Sequence, residues 1–285
     1  MTLDGLIEEQ GVVILDGGLA TELEARGHDL ADELWSARLL RDDPDAIRAV
    51  HRAYVEAGAD GVITASYQAT IERLPAGALR LSVQLARDAG PRIVAASVGP
   101  YGAARADGSE YTGDYDLKEG GLGGWHAPRF EVLDGAGADV LACETIPSFA
   151  EARALAKLLG RTPAWFCFSC RDGERISDGT PIETCARHLD GIEKVAAVGV
   201  NCTPPRFVES LVKRIRAVTR KPIVVYPNSG ERWDAARRAW TGTRDPGEFA
   251  EMAARWRDAG ATILGGCCRT GPAHIRALRG RLLGA

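Results

Sequence analysis

The segment Ala57-Gly58-Ala59-Asp60-Gly61-Val62-Ile63 shows a junction that recurs along the chain. A helix commonly ends at a glycine, and a short apolar run after a tight turn is typical of a buried parallel strand. The same pattern returns as AGADVLA at residues 136–142 and as AGATIL at residues 259–264. Three copies of one junction indicate a repeated unit in which a helix leads through a tight turn into a strand.

Eight short apolar runs predict the strands of this repeat. They are residues 12–15, 62–63, 92–98, 140–142, 164–168, 195–200, 222–226 and 263–264. Strands that alternate with helical segments predict a parallel sheet, and eight of them predict an α/β fold with a single (β/α)8 TIM-type barrel. We expect one domain over residues 1–285. A doubly wound open sheet is the alternative, but no G-x-G-x-x-G motif follows the first strand.

Composition excludes several classes of protein. The 285 residues carry a net charge of −4 without a run of lysine or arginine, which disfavours nucleic acid and anionic membranes as partners. The N-terminal residues do not resemble a signal peptide, and no apolar run approaches the roughly 18 residues of a membrane span. An odd number of cysteines, seven, favours free thiols in a reducing compartment. We therefore expect a cytoplasmic protein, and a monomer because no long extension is present.

Polar side chains follow the predicted strands at the positions where barrel enzymes carry their chemistry, the C-terminal ends of the strands. These residues are Asp16, Thr64, Ser97, Glu144, Ser169, Cys202, Asn228, Cys267 and Cys268. In a closed barrel they meet at one rim. The rim would then combine three thiols with two carboxylates, which is the strongest indication of function that the fold itself provides.

Cys202, Cys267 and Cys268 are one ligand short of a closed tetrahedral zinc site. Catalytic zinc is usually held by three protein ligands, with the fourth position left for water or substrate. Neighbouring side chains of a strand point to opposite faces, so the two adjacent cysteines can share a metal only if the backbone bends. Gly265 and Gly266 would allow such a bend. The alternative is a set of buried cysteines at apolar strand ends.

Several segments together resemble the homocysteine S-methyltransferase family. They are residues 16–23 (DGGLATEL), 63–70 (ITASYQAT), 97–103 (SVGPYGA), 144–147 (ETIP), 199–202 (GVNC) and 265–268 (GGCC). Two more, residues 107–111 (DGSEY) and 225–230 (VYPNSG), are closest to the branch that uses S-methylmethionine. The likeness extends from about residue 12 to about residue 278. It implies a zinc-containing (β/α)8 barrel that binds homocysteine and methylates its thiol.

By this resemblance Cys202, Cys267 and Cys268 match the zinc ligands, and Asp16 and Glu144 match the positions that hold the homocysteine amino group. The implied reaction moves a methyl group from a sulfonium donor, S-methylmethionine or S-adenosylmethionine, to L-homocysteine and gives methionine. Alternatives are betaine as donor, selenohomocysteine as acceptor, or a zinc-binding barrel without catalysis. A pure metal-binding protein would not need the two carboxylates.

A positively charged sulfonium is attracted to the faces of aromatic rings. The aromatic residues in or near the predicted rim loops are Trp35, Tyr67, Tyr101, Tyr111, Tyr115 and Trp125, each of which could instead be an ordinary packed ring. We assign Trp35 and Tyr67 to substrate binding, together with the rim residues Thr64 and Ser97. Asn228 is a candidate oxygen ligand for zinc. The Cys167-x-x-Cys170 pair fits a buried strand better than a redox or metal motif, and among the histidines only His126 stands beside a rim aromatic.

Overall fold

The computed structural model of the chain describes residues 2–30, 34–234, 239–241 and 245–284. Its centre is an eight-stranded parallel sheet of β1 Val13–Ile14, β2 Gly61–Ile63, β3 Ile93–Val98, β4 Val140–Ile146, β5 Ala164–Phe168, β6 Val195–Asn201, β7 Ile223–Tyr226 and β10 Ile263–Leu264. The strands lie in the order β1-β10-β7-β6-β5-β4-β3-β2, and a parallel bridge from Leu15 to Gly61 brings β1 beside β2. The sheet therefore forms the predicted (β/α)8 TIM-type barrel, and all eight predicted strands are confirmed.

Helices connect the barrel strands. They are α1 Leu3–Gln10, α2 Leu19–Ala25, α3 Leu39–Asp42, α4 Pro44–Glu56, α5 Ala76–Asp88, α6 Tyr101–Arg105, α7 Glu119–Asp134, α8 Phe149–Ala156, α9 Ile182–Asp190, α10 Pro205–Arg216, α11 Pro246–Asp258 and α12 Pro272–Leu283. Two 3-10 turns cover Trp35–Arg38 and Ser109–Tyr111. An antiparallel hairpin of β8 Arg232–Asp234 and β9 Ala239–Thr241 lies outside the barrel sheet, and the sequence patterns did not predict it.

The barrel strands are buried on both faces, which explains their continuous apolar sequence. Every residue of β3, β4 and β5 is buried. Cys167 packs inside the barrel and Cys170 packs in the outer core, so both are core residues, as the strand pattern indicated. Leu3 and Leu6 of α1 join the cluster that fills the barrel interior. Because α1 precedes β1, it covers the N-terminal end of the barrel, and a fully buried leucine such as Leu6 contributes roughly 2 kcal/mol.

The three helix–strand junctions share the backbone conformation that their sequence indicates. Gly58, Gly137 and Gly260 have φ angles of 103°, 85° and 120°. A residue with a Cβ atom is strained in this region, whereas glycine adopts it readily. At each junction the glycine turns the chain from a helix of the outer layer into a strand. Among the described residues, no helix combines the length and the apolar composition that a membrane crossing requires.

The junction conformation predicts a specific loss of stability for Gly137→Ala. A Cβ atom at this position meets no atom within 4 Å, so the substitution tests the positive φ alone. We expect a loss of about 1–2 kcal/mol in the free energy of unfolding, measured by urea denaturation. The matched control is Gly124→Ala within α7, which is also open, has no positive φ and should gain about 0.5–1 kcal/mol. Equal effects of both substitutions would contradict this interpretation.

Candidate metal centre and substrate cavity

A cavity of about 460 Å³ opens at the C-terminal ends of the barrel strands. This volume lies within the range of small-molecule sites. The sequence assigns nine residues to metal or substrate binding, namely the three cysteines, the two carboxylates, Trp35, Tyr67, Thr64 and Ser97. Eight of them line the cavity: Asp16, Trp35, Thr64, Tyr67, Glu144, Cys202, Cys267 and Cys268. The ninth, Ser97, is fully buried and lies behind the wall, where its hydroxyl donates a hydrogen bond to Glu144. The barrel therefore brings residues from five strand ends into one chamber.

The three predicted cysteines form a cluster in this wall. The Sγ atoms of Cys202, Cys267 and Cys268 all lie within 4.8 Å of one another. Zinc with tetrahedral bonds of about 2.3 Å would place its sulfur ligands about 3.8 Å apart, so the donor set fits a thiolate-bound metal. Cys202 and Cys267 are in disulfide contact, with their Cα atoms 5.6 Å apart. A disulfide offers no thiolate, so the group can hold a metal ion only when this pair is reduced.

Gly265 and Gly266 place the two adjacent cysteines by permitting close packing. A Cβ atom on Gly265 would lie 2.7 Å from the Cβ atom of Leu15, and one on Gly266 would overlap the side chain of Thr270. Neither glycine has a positive φ; the left-handed residue in this loop is Arg269, with φ 66°. The expected bend is therefore present beyond the end of β10, but the glycines allow neighbouring loops to approach rather than adopting an unusual backbone themselves.

Strained backbone is concentrated around the cavity. Among the described residues, five other than glycine have a positive φ: Trp35, Ala106, Thr145, Cys202 and Arg269. All five line the cavity. Such conformations cost on the order of 1–3 kcal/mol each and persist where the surrounding structure enforces them, as it often does at functional sites. The strained residues are thus concentrated in the wall of this cavity.

Asp16 and Glu144 are two buried carboxylates in the same chamber. Asp16 Oδ2 accepts a hydrogen bond from the amide of Ile63 at 2.9 Å, whereas Asp16 Oδ1 is buried without a hydrogen-bond partner among the described residues. Burial raises the pKa of Glu144 to about 7, against the lowering effect of the Ser97 hydrogen bond. Burial also raises the pKa of Asp16 well above its usual range, and the charge of Glu144 adds to this rise. The pair is suited to a ligand that brings a positive charge.

Supporting side chains fix Glu144 in position. The Nδ2 atom of Asn201 lies 3.5 Å from Glu144 Oε2. The Tyr226 side chain, like that of Ser97, counteracts the rise that burial causes in the pKa of Glu144. Tyr226 in turn accepts a hydrogen bond from Trp165 Nε1 at 3.2 Å. Asn201 and Tyr226 end the barrel strands β6 and β7, but their sequence positions alone indicate no role for either side chain. Thr64 lines the cavity, but its Oγ1 is engaged with the Ser66 hydroxyl at 2.7 Å.

The candidate aromatic residues divide into two groups. Trp35, Tyr67 and Tyr111 line the cavity, and the rings of Trp35 and Tyr67 meet edge to face at 6.4 Å. The others, Tyr101, Tyr115 and Trp125, pack against one another and are not among the described residues of the cavity wall. The first group is therefore available to a ligand, whereas the second is a structural cluster.

His126 and Asn228 also lie outside the described wall of the cavity. His126 is buried against Glu151, with 2.7 Å between its Nε2 and the carboxylate, and burial lowers the pKa of His126 to about 4. The Oδ1 atom of Asn228 is buried without a hydrogen-bond partner among the described residues, while its backbone amide donates to the Thr203 carbonyl at 3.2 Å. His126 therefore belongs to the second aromatic group.

Comparison with known proteins agrees with this geometry. The sequence profile of the homocysteine S-methyltransferase family matches residues 13–282. The homocysteine S-methyltransferase YbgG of Bacillus subtilis is 44% identical over 95% of this chain and 94% of its own. A selenocysteine Se-methyltransferase of Brassica oleracea is 46% identical over 98% of this chain and 91% of its own.

A solved structure gives the same result for the fold. The metallated form of the homocysteine methyltransferase MmuM from Escherichia coli matches with a TM-score of 0.87 and 44% identity, and the match covers 98% of this chain and 99% of that one. Sequence and structure thus agree over nearly the entire length of both proteins. The chain is therefore an enzyme of the homocysteine S-methyltransferase family.

Proposed function

We propose that this enzyme transfers a methyl group from a sulfonium donor to the thiol of L-homocysteine, and that the main donor is S-methylmethionine. The observation that carries the proposal is the cluster of three sulfurs within 4.8 Å in the wall of a cavity that also holds two buried carboxylates. The three sulfurs can hold a metal that binds the acceptor thiol, and the two carboxylates can bind the ammonium group of the same acceptor. The names and the metallated state of the relatives support the same assignment.

We propose zinc as the metal, held by Cys202, Cys267 and Cys268 in the reduced state. A set of three thiolates favours zinc over magnesium or calcium, which prefer oxygen ligands. When bound, zinc lowers the pKa of an acceptor thiol, which otherwise has a pKa of about 8.5 and is mostly protonated at neutral pH.

Asp16 and Glu144 would orient the acceptor. The unpartnered Asp16 Oδ1 and the Glu144 carboxylate can both accept hydrogen bonds from one ammonium group, and that ammonium would relieve their mutual repulsion. An amino acid anchored in this way directs its side-chain sulfur along a fixed path. Holding two reactants at contact distance can supply several kcal/mol of the rate enhancement.

The transfer itself is a displacement between two sulfur atoms. After the acceptor thiol has released its proton to solvent, its sulfur forms the new bond to the methyl carbon while the bond from that carbon to the donor sulfur breaks. The donor sulfur keeps the bonding electron pair and leaves as a neutral thioether. With S-methylmethionine as donor the thioether is methionine, so both products are methionine. Trp35, Tyr67 and Tyr111 can present ring faces to the sulfonium on the donor side.

Selenocysteine is a second candidate acceptor, because one relative at 46% identity is a selenocysteine Se-methyltransferase. Because the carboxylates and the cysteines are held at a fixed distance from one another, the site favours an acceptor of one chain length. It does not distinguish in this way between sulfur and selenium. We therefore expect homocysteine and selenohomocysteine to be used with kcat/KM at least about tenfold above those of cysteine and selenocysteine. Initial rates with all four acceptors would measure this. A preference for selenocysteine over homocysteine would favour the second candidate.

Zinc and turnover should depend on the same cysteine. We expect one zinc per chain in the reduced wild-type protein, and loss of both zinc and methionine formation in Cys267→Ala, since two thiolates no longer make a stable site. Elemental analysis and parallel assays with S-methylmethionine, S-adenosylmethionine and betaine would check this. Cys185→Ala is the matched control, because that buried cysteine lies in α9, away from the cavity.

The outcomes of this experiment separate the alternatives. Turnover with betaine but with no sulfonium would identify the donor as betaine. Bound zinc without methionine from any of the three donors would instead support a metal-binding barrel and contradict the proposed function.

Ammonium binding should depend on the ionisation of Glu144. The pKa of this carboxyl is raised to about 7, so lowering the pH from 8 to 6 protonates it and removes the charge that holds an ammonium. We expect the affinity for L-methionine, which carries the ammonium but no titratable thiol, to fall about tenfold over this range. Calorimetric titration would measure it. Glu144→Gln should bind methionine weakly at pH 8, and Glu131→Gln on the exposed face of α7 is the control.

A further inference from the structure

A third carboxylate, that of Glu110, lines the cavity apart from the pair of Asp16 and Glu144. It belongs to the 3-10 turn Ser109–Tyr111. The Oε2 atom of Glu110 is buried and has no hydrogen-bond partner among the described residues. A buried carboxylate oxygen without a partner is costly, and burial raises the pKa of Glu110 above its usual range. The binding of a cation would offset this cost.

The turn that carries Glu110 is held firmly. The Asp107 carboxylate accepts a hydrogen bond from the amide of Ser109 at 3.0 Å, and the hydroxyl of Ser169 donates to the carbonyl of Glu110 at 3.2 Å. Gly102 of α6 packs so closely that a Cβ atom there would overlap the backbone of Ser109 and Glu110. The backbone that carries the carboxylate is therefore held in place, as it is in pre-organised binding sites.

Glu110 lines the same cavity as the rings of Tyr67 and Tyr111. The hydroxyl of Tyr111 is close enough to Cys268 and Glu110 for their charges to raise the pKa of Tyr111, in addition to the larger effect of burial. Glu110 also raises the pKa of Tyr67. The carboxylate thus shares the cavity with Tyr67 and Tyr111, the two tyrosine rings that are available to a donor.

The described residues of the cavity wall carry more negative than positive charge, which favours a cationic ligand beside Glu110. Among the described lining residues, the carboxylates are Asp16, Glu24, Glu110 and Glu144, and the only cation is Arg269. The Nε atom of Arg269 lies 2.9 Å from the carboxylate of Glu231, which partly neutralises it. The wall is therefore anionic, and a positive group near Glu110 must come from a bound molecule.

We propose that Glu110 is the residue that recognises the positive sulfur of the methyl donor, an inference that rests on the proposed function. The carboxylate attracts the sulfonium before transfer. When the methyl group leaves, the donor sulfur keeps the electron pair and becomes a neutral thioether, so the attraction is lost and the product is released. Because this attraction weakens as the reaction proceeds, it lowers the KM for the donor and does not accelerate the chemical step.

The test compares S-methylmethionine with homoleucine, in which a CH group replaces the positive sulfur and the rest of the molecule keeps its shape, ammonium and carboxylate. Calorimetry without homocysteine would measure the affinity of each ligand for the zinc-loaded enzyme. We expect the wild type to bind S-methylmethionine at least tenfold more tightly than homoleucine. In Glu110→Gln the ratio of these two affinities should fall to about 1–3. Glu110→Asp, which keeps the charge, should retain part of the preference.

Kinetics provide the second measurement. Glu110→Gln should raise the KM for S-methylmethionine at least tenfold, leave kcat unchanged or somewhat higher, and leave the KM for homocysteine within about twofold. Asp114→Asn is the control: it removes the same charge from an exposed position four residues away and should change neither KM.

Three results would overturn the proposal. The first is a wild-type enzyme that binds S-methylmethionine and homoleucine equally well, and the second is a Glu110→Gln variant with the wild-type ratio of these two affinities. The third is an equal loss of affinity for both ligands in Glu110→Gln, which would mean that Glu110 binds the ammonium group instead. Failure of the proposed function is a different result. In that case the wild-type enzyme forms no methionine from S-methylmethionine at all.

Discussion

Three consecutive backbone hydrogen bonds hold the candidate metal centre together. The amide of Gly265 donates to the Val225 carbonyl, that of Gly266 to Asp16 and that of Cys267 to Pro227, at 2.9, 3.0 and 2.8 Å. The chain after β10 is thus attached in turn to β7, to the loop after β1 and to the loop after β7. This arrangement brings Cys267 and Cys268 to Cys202 and places them beside Asp16, so the thiol cluster and this carboxylate depend on the same contacts.

The buried carboxyl of Glu144 is costly for the fold. Burial raises the pKa of Glu144 from 4.5 to about 7, so between these values the folded protein holds a proton that the unfolded chain releases. The free energy of unfolding therefore decreases as the pH rises through this window, by roughly 3 kcal/mol at about 1.4 kcal/mol per pKa unit. A glutamine would avoid this cost but would give up the negative charge. The sequence keeps the charge where a ligand can compensate for it.

The sequence was sufficient for the barrel and for most of the rim, because both follow from local patterns and topology. Apolar runs identified the eight strands, and the parallel arrangement then required Asp16, Glu144 and Cys202 to meet. It was not sufficient to tell which rim side chains face the cavity. Ser97 turns behind Glu144, and Tyr101 packs with Trp125 rather than with Tyr67, because these orientations depend on contacts between distant loops. For the same reason the importance of Tyr226 and Glu110 could not be inferred from the positions they occupy in the chain.

The helix α1 closes one end of the barrel, and this has a consequence for the order of events. With Leu3 and Leu6 filling the N-terminal end, ligands enter and leave through the opposite mouth. The carboxylates of Asp16 and Glu144 lie deep, at 2% and 7% exposed, whereas Tyr111 in the same cavity wall is 46% exposed. An acceptor bound at the bottom is covered by the donor above it. The productive order would therefore be acceptor first, since a donor bound without acceptor has nothing to methylate, and the demethylated donor would depart before the methylated acceptor. With S-adenosylmethionine as donor, which gives two different products, product-inhibition patterns would reveal this order.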